Sequence, residues 1–226
     1  MSDTCYACGQ TATSDEHVPP KCIFPEFKDA HVDYRKNLIT VRSCDAHNTA
    51  KSHDDEFLLF ALVIYINNNK AGNDHFFTKI MRAVTRAPRT FQKMVEDSFP
   101  VAGTPGAGAA LQFDRSRFDH EIEMIGRALY FYHTGNVLTE NLRVESPAFH
   151  IREGYLLSPD PQAKMIAEGV RGFVGPKTAF EGQNPDIFKY RFRNESVFAA
   201  EMLFYENFQV VATTIPQAPE PTTAST

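Results

Sequence analysis

Cys5 and Cys8 are separated by two residues, and so are Cys44 and His47. A two-residue gap lets a tight turn aim both ligands at one ion, so the two pairs read as a closed tetrahedral Cys3His site for structural Zn2+. Such an ion would staple the segment between the pairs, which is too short in apolar residues to hold a core of its own. Cys22 stands either as an alternative fourth ligand or as a small apolar residue beside Ile23 and Phe24. Between the pairs lies Glu16-His17, followed by Val18-Pro19-Pro20, and Asn48 directly follows His47. Prolines just after the dipeptide restrict the backbone and help to aim the imidazole. A histidine near neutral pKa suits removal of a proton from water. A neighbouring carboxylate and a side-chain amide offer hard oxygen donors to Mg2+ or Mn2+. Together these groups describe a one-metal hydrolytic site for a phosphodiester. Taken singly, His17 reads as a surface histidine and Asn48 as a helix N-cap.

The rest of the chain must position these groups. With 226 residues, 42% of them hydrophobic and 23% charged, it is long enough to bury a sizeable core. The first residues show no basic segment followed by an apolar run, and cysteines paired at ligand spacing favour metal over disulfide in a reducing compartment, so the expected location is cytoplasmic. The longest apolar run, residues 57–66, is too short to span a bilayer. A net charge of −5 argues against non-specific coating of nucleic acid but leaves room for a local basic surface.

Residues 37–41 read as extended. A helix is expected from Asn48 or Asp54 through Ile66, broken by the turn formers of residues 67–74. The next helix is expected over residues 75–86, with Phe77, Ile80, Met81 and Val84 on a buried face, and Pro88 ends it. A further helical turn is expected over residues 90–97. Lys79, Arg82, Arg86, Arg89 and Lys93 follow helical spacing on another side, and with Lys70 they face one acid, Asp74. That stretch is the candidate nucleic-acid surface, with a solvated helix face as the plain alternative. Residues 100–110 read as a Gly/Ala/Pro linker. Phe118, Ile122, Ile125, Leu129 and Tyr132 mark an amphipathic helix stopped at Gly135-Asn136. Residues 187–193, 197–205 and 208–215 read as an antiparallel meander, and residues 216–226 as a disordered tail. No Walker A loop or G-x-S-x-G is present, and His120-Glu121 lacks the second histidine of a helical zinc-protease motif.

The ordered set Cys5-x-x-Cys8-Gly9, Ser14-Asp15-Glu16-His17-Val18-Pro19-Pro20-Lys21, Leu38-Ile39-Thr40-Val41 and Cys44-x-x-His47-Asn48, running into Lys51-Ser52, resembles the HNH endonuclease family. These are the ββα-metal or His-Me finger nucleases, here in their zinc-stapled, treble-clef form, and the resemblance covers residues 4–60. It implies that His17 is the general base on a hairpin strand, that Glu16 is a ligand of the catalytic metal, and that Asn48 binds or orients the metal site. His53 is the nearest candidate for the third motif position, although its distance from Asn48 is shorter than in many HNH proteins. Asp54, Asp55 and Glu56 are nearby alternatives, equally explained as an acidic helix start.

The expected fold is α+β: a zinc-bound ββα-metal module over residues 1–66, a basic helical segment over 67–99, and a C-terminal region with helix and antiparallel strands over 111–215 for dimerisation, docking or substrate positioning. The implied activity is metal-dependent endonuclease action on DNA, leaving 5′-phosphate and 3′-hydroxyl ends, in a bacterial or phage defence setting. The implied partners are nucleic acid, DNA ahead of RNA, and a homodimer mate or protein subunit, with no membrane. Two rivals stand beside it: a non-catalytic zinc module that binds nucleic acid or protein, and a partner-activated effector nuclease acting on RNA.

Overall fold

In the computed structural model the described residues are 3–48, 52–86, 99–100, 109–110, 114–153 and 156–214. The N-terminal part is a two-stranded antiparallel hairpin, β1 (Ser14–Val18) with β2 (Ile39–Ser43). The connection between its strands carries a 3-10 turn, Lys21–Ile23, and a short helix, α1 (Phe27–Ala30). After β2 a second 3-10 turn, Asp45–His47, precedes α2 (Ser52–Val63). Residues 57–63 of α2 are buried without a break. A helix apolar all round belongs inside a core, and α2 lies at the centre of this one, with Asp54 and Asp55 in its first turn where the macrodipole favours acids.

The next helix begins earlier than its apolar pattern indicates. Asn69 caps α3 (Lys70–His75), its side chain accepting from the Gly72 amide at 3.0 Å. The helix widens into a π-helical turn, Phe76–Ile80, before continuing as α4 (Met81–Arg86). That wider turn shifts the phase of the side chains. Ile80 is buried and Val84 packs on the core, whereas Phe77 and Met81, expected on the buried face, are exposed by 70% and 43%. At the two ends of the stretch expected to be a linker, β3 (Phe99–Pro100) pairs with β4 (Ala109–Ala110). The helical turn expected over residues 90–97 and the tail 216–226 lie outside the described residues.

The C-terminal region has three layers. Its middle layer is a five-stranded antiparallel sheet in the order β5 (Leu142–Glu145), β11 (Phe208–Thr214), β10 (Phe198–Phe204), β9 (Phe188–Asn194), β8 (Glu181–Asn184). A separate hairpin, β6 (His150–Glu153) with β7 (Leu156–Pro159), lies between β5 and the last helix. Alternation decides which residues face which layer. Met202, Phe204, Phe208, Val210 and Ala212 join α5 (Arg115–Thr134) and α2 in one apolar core, to which the hairpin adds Val18 and Val41 and the turn before it Tyr6. Ala199 and Val211 face α6 (Pro161–Val174), which covers the other side with Ala167, Val170 and Val174. On that same face the Arg191 and Glu201 side chains form a buried ion pair at 2.6 Å. No helix among the described residues is long and apolar enough to cross a membrane.

Candidate metal centre and hairpin site

The backbone folds Cys5 and Cys8 into a tight turn. The Gly9 amide donates to the Cys5 carbonyl at 3.0 Å, and Gly9 takes φ +73°, a left-handed conformation that glycine adopts without steric cost. Cys44 opens the 3-10 turn that carries His47, whose amide donates back to the Cys44 carbonyl at 3.0 Å. The ligand atoms of Cys5, Cys8, Cys44 and His47 all lie within 4.8 Å of one another. Cys8 Sγ is 3.8 Å from Cys44 Sγ, and His47 Nδ1 is 3.7 Å from Cys5 Sγ and 3.2 Å from Cys44 Sγ. Bonds of about 2.3 Å to sulfur and about 2.0 Å to nitrogen require tetrahedral edges of about 3.5–3.8 Å, so the cluster could hold a zinc ion. Burial alone would raise the Cys5 pKa, but bonds to the backbone of Ala7, Cys44 and Cys8 outweigh it and lower the pKa. Cys22 is not part of the cluster: its thiol donates to the Asp55 carbonyl at 3.3 Å, which leaves His47 as the fourth ligand.

The cluster sits where the start of β1 meets the end of β2, Ser14 pairing with Ser43. Inside the hairpin, Glu16 pairs with Val41 and His17 with Thr40. Glu16 and His17 therefore leave β1 on opposite faces. Glu16 points inward and is 6% exposed. It faces Tyr6, whose pKa is pushed well above the ordinary value by burial and then by the Glu16 charge, so the phenol stays protonated and bonds to the carboxylate. His17 is half-buried on the outer face, one residue before the cis Val18–Pro19 peptide. Burial lowers its pKa first, Lys21 and Arg35 lower it further, and Asp15 opposes them. The carboxylate that shares the outer face with His17 is thus Asp15, which pairs with Arg42 at 3.1 Å.

Asn48 ends the 3-10 turn. Its Nδ2 donates to Ser14 Oγ at 2.8 Å and to the Asp15 carbonyl at 3.2 Å. Ser14 and Glu16 share the inner face of β1, so the Asn48 amide and the Glu16 carboxylate lie on one side of the strand. Their oxygens are donors of the type a hard divalent ion takes. His53 is exposed in the first turn of α2, and its carbonyl accepts from Arg117 Nη2 at 2.8 Å; its ring has no hydrogen-bond partner among the described residues.

The basic series of the second helix divides. Arg82, expected on the solvent side, turns inward and grips Asp29 of α1 with two bonds of 2.8 and 2.7 Å. Lys79 donates to the Cys22 carbonyl at 3.3 Å. Arg86 is exposed at the end of α4, and Arg89 and Lys93 lie outside the described residues. Two cations not expected at the site stand near His17: Lys21, visible in the motif string itself, and Arg35, which no periodicity marked. In comparisons with protein-family models, with curated proteins and with solved structures, the chain finds no match.

Proposed function

We propose that this chain is a metal-dependent phosphodiester hydrolase of the HNH type, acting on DNA. The observation that carries the reading is the placement of His17: half-buried at the end of a hairpin strand anchored by the Cys3His cluster, with Lys21 and Arg35 beside it. An uncharged imidazole takes a proton from water as the water oxygen attacks phosphorus. The new P–O bond forms as the bond to the 3′ oxygen breaks, leaving a 5′-phosphate, and the 3′ oxygen takes a proton from solvent. Glu16 and Asn48 are the residues that would hold a catalytic Mg2+ or Mn2+, which when bound supplies charge neutralisation at phosphorus and the leaving oxygen. Cys5, Cys8, Cys44 and His47 keep a structural zinc apart from this chemistry. One such site cuts one strand, so a duplex break requires a dimer or two successive nicks.

A non-catalytic zinc module is the second reading, and the burial of Glu16 against Tyr6 favours it, because a carboxylate so placed can be purely structural. His17→Ala decides between them when plasmid nicking in Mg2+ or Mn2+ is measured beside zinc content. Full zinc with lost nicking is the expected result. Unchanged nicking in the variant refutes the role of His17, and no nicking by the wild-type chain supports the binding module.

A further inference from the structure

Arg35 and Lys79 come from distant parts of the chain and settle on the same short segment. Arg35 Nε donates to the Phe24 carbonyl at 2.9 Å, and Lys79 Nζ donates to the Cys22 carbonyl at 3.3 Å. This segment follows directly on the end of β1 that carries His17. The charge of Arg35 acts on both His17 and Lys79. Lys79 emerges from the π-helical turn, and wider turns of this kind recur at functional sites.

A structural strap is the plain explanation, since His75, Lys79 and Arg82 all reach the segment between the hairpin strands from one helix face. His75 Nδ1 and the Tyr205 hydroxyl are 2.9 Å apart, and that hydroxyl donates to the Ile23 carbonyl at 2.7 Å; Arg82 grips Asp29. The strap accounts for Arg82 and His75, whose partners suit them. It does not account for Lys79. Among the described residues no carboxylate lies within ion-pair distance of its ammonium, only one of its three N–H donors is used, and the charges that act on it are the cation Arg35 and the more distant carboxylates of Glu26 and Glu56. Arg35 itself has one loose ionic contact, to Glu26 at 3.7 Å. Glu26 is the carboxylate near both cations, but Lys28 already holds it at 2.6 Å, so neither Arg35 nor Lys79 has a close anionic partner of its own and a further anion would be welcome between them. Lys21 adds a third positive charge beside His17, in a protein whose net charge is −5.

We propose that Arg35 and Lys79, with Lys21 at the rim, form an anion site that grips the non-bridging oxygens of a nucleic-acid phosphate next to His17. The proposal rests on the phosphodiester reading of that site. It also assigns a task to the helix beyond the hairpin: it delivers a phosphate contact from outside the zinc-stapled segment. A planar guanidinium and a point-charge ammonium on neighbouring carbonyls can engage separate oxygens of one tetrahedral anion.

The test uses the full zinc-loaded chain with a short DNA duplex in EDTA, so that binding is read without cleavage. Lys79→Met and Arg35→Met are each expected to weaken binding about tenfold or more and to lower the slope of log affinity against log salt by about one. Lys79→Arg should restore the slope, and Lys164→Met, on the exposed side of α6, should leave it unchanged. An unchanged slope in folded Lys79→Met overturns the proposal. Should that variant fail to fold, lysine acylation of the wild-type chain gives the answer. Protection of Lys79 but not Lys164 by DNA or by inorganic phosphate supports the site, and equal labelling of Lys79 with and without ligand overturns it. The two readings fail separately: loss of binding in Lys79→Met with no nicking by wild type keeps the anion site and removes the hydrolase. Nicking by wild type with no effect of either cation does the reverse.

Discussion

His75 offers a direct test of how the helix beyond the hairpin is held. Its side chain is 1% exposed. The Tyr205 hydroxyl gives its hydrogen to the Ile23 carbonyl, so the Tyr205 oxygen must accept from His75 Nδ1, which fixes the neutral Nδ1–H tautomer. Burial, helped by the positive charges of Lys79, Arg35 and Arg82 and opposed by Asp29, brings its pKa down from 6.5 to about 3. Because the folded pKa is depressed, the unfolded chain binds the proton more readily. The neutral imidazole therefore costs nothing above about pH 6.5, and stability is lost as the pH falls from there towards 3. At pH 5 the loss from this one group is RT ln(1 + 10^1.5), about 2 kcal/mol, and it hardly depends on where below 5 the folded pKa lies. In a chain of this length that is a fall of roughly 4–8 °C in Tm. The assay is denaturant unfolding of zinc-saturated wild type and His75→Asn at pH 7.5 and pH 5. Asparagine keeps a donor near the Nδ1 position but does not titrate. Zinc-site protonation is common to both chains, so the excess pH dependence of the wild type isolates His75. Equal pH dependence in the two proteins, or a His75 pKa near 6.5 by NMR, refutes the assignment.

Zinc chelation at pH 7.5 should loosen the N-terminal hairpin first, read as faster amide exchange in residues 5–18 and 39–47 than in β9–β11; uniform exchange after chelation contradicts the staple. Glu16→Gln removes the charge beside Tyr6 while keeping the shape, and the Tyr6 phenol should then titrate lower, read by ultraviolet absorbance; an unmoved Tyr6 contradicts their contact. A Cβ on Gly72 would meet Asn68 Cβ and Tyr205 Cγ at 2.9 Å, so Gly72→Ala should destabilise by about 1–3 kcal/mol in thermal melts, and a neutral change counts against the close packing of α3 on Tyr205. Glu201→Ala strands the Arg191 guanidinium, whose side chain is 8% exposed; the expected loss in chemical denaturation is about 3–5 kcal/mol, and a loss below about 1 kcal/mol would mean the pair is open to water.

Most elements whose signal is local were legible, and those built by distant partners were not. The apolar positions of residues 118–132 repeat at helical spacing, and α5 follows them, ending at Gly135 with φ +71°. The three last strands alternate and sit between turn formers, and β9, β10 and β11 form the expected meander. One local signal went unread: in α6 the buried Ala163, Ala167, Val170 and Val174 follow helical spacing, with alanine making half of the stripe. Its clearest mark is the start: Asp160 accepts from the Gln162 and Ala163 amides, and Pro161 occupies the first turn. The pairing of β5 with β11 joins residues far apart in the chain, and neither strand alone shows its partner. Phe77 and Met81 were misplaced for a further reason. A π-helical turn breaks the 3.6-residue period on which any face assignment depends.

The same distinction between local and distant signals runs through the site. Zinc ligands at two-residue spacing report their own geometry, because a single turn presents both, and the four expected ligands converge. Glu16-His17 carries no such guarantee. Neighbours on a strand point to opposite faces, so the dipeptide is a pair only if its chemistry straddles the strand. The hairpin separates it into an inner carboxylate, held by Tyr6 and on the Asn48 side, and an outer imidazole among cations. That division makes the hydrolase reading demanding. His17 must act from the outer face while any ion held by Glu16 and Asn48 acts from the inner one, and the two can meet on one phosphate only where β1 ends. The segment that follows β1 there is the one on which Arg35 and Lys79 settle. Double substitution is therefore informative: His17→Ala and Lys79→Met should be sub-additive in kcat/KM if both contact the same phosphate, and additive if Lys79 only holds the fold.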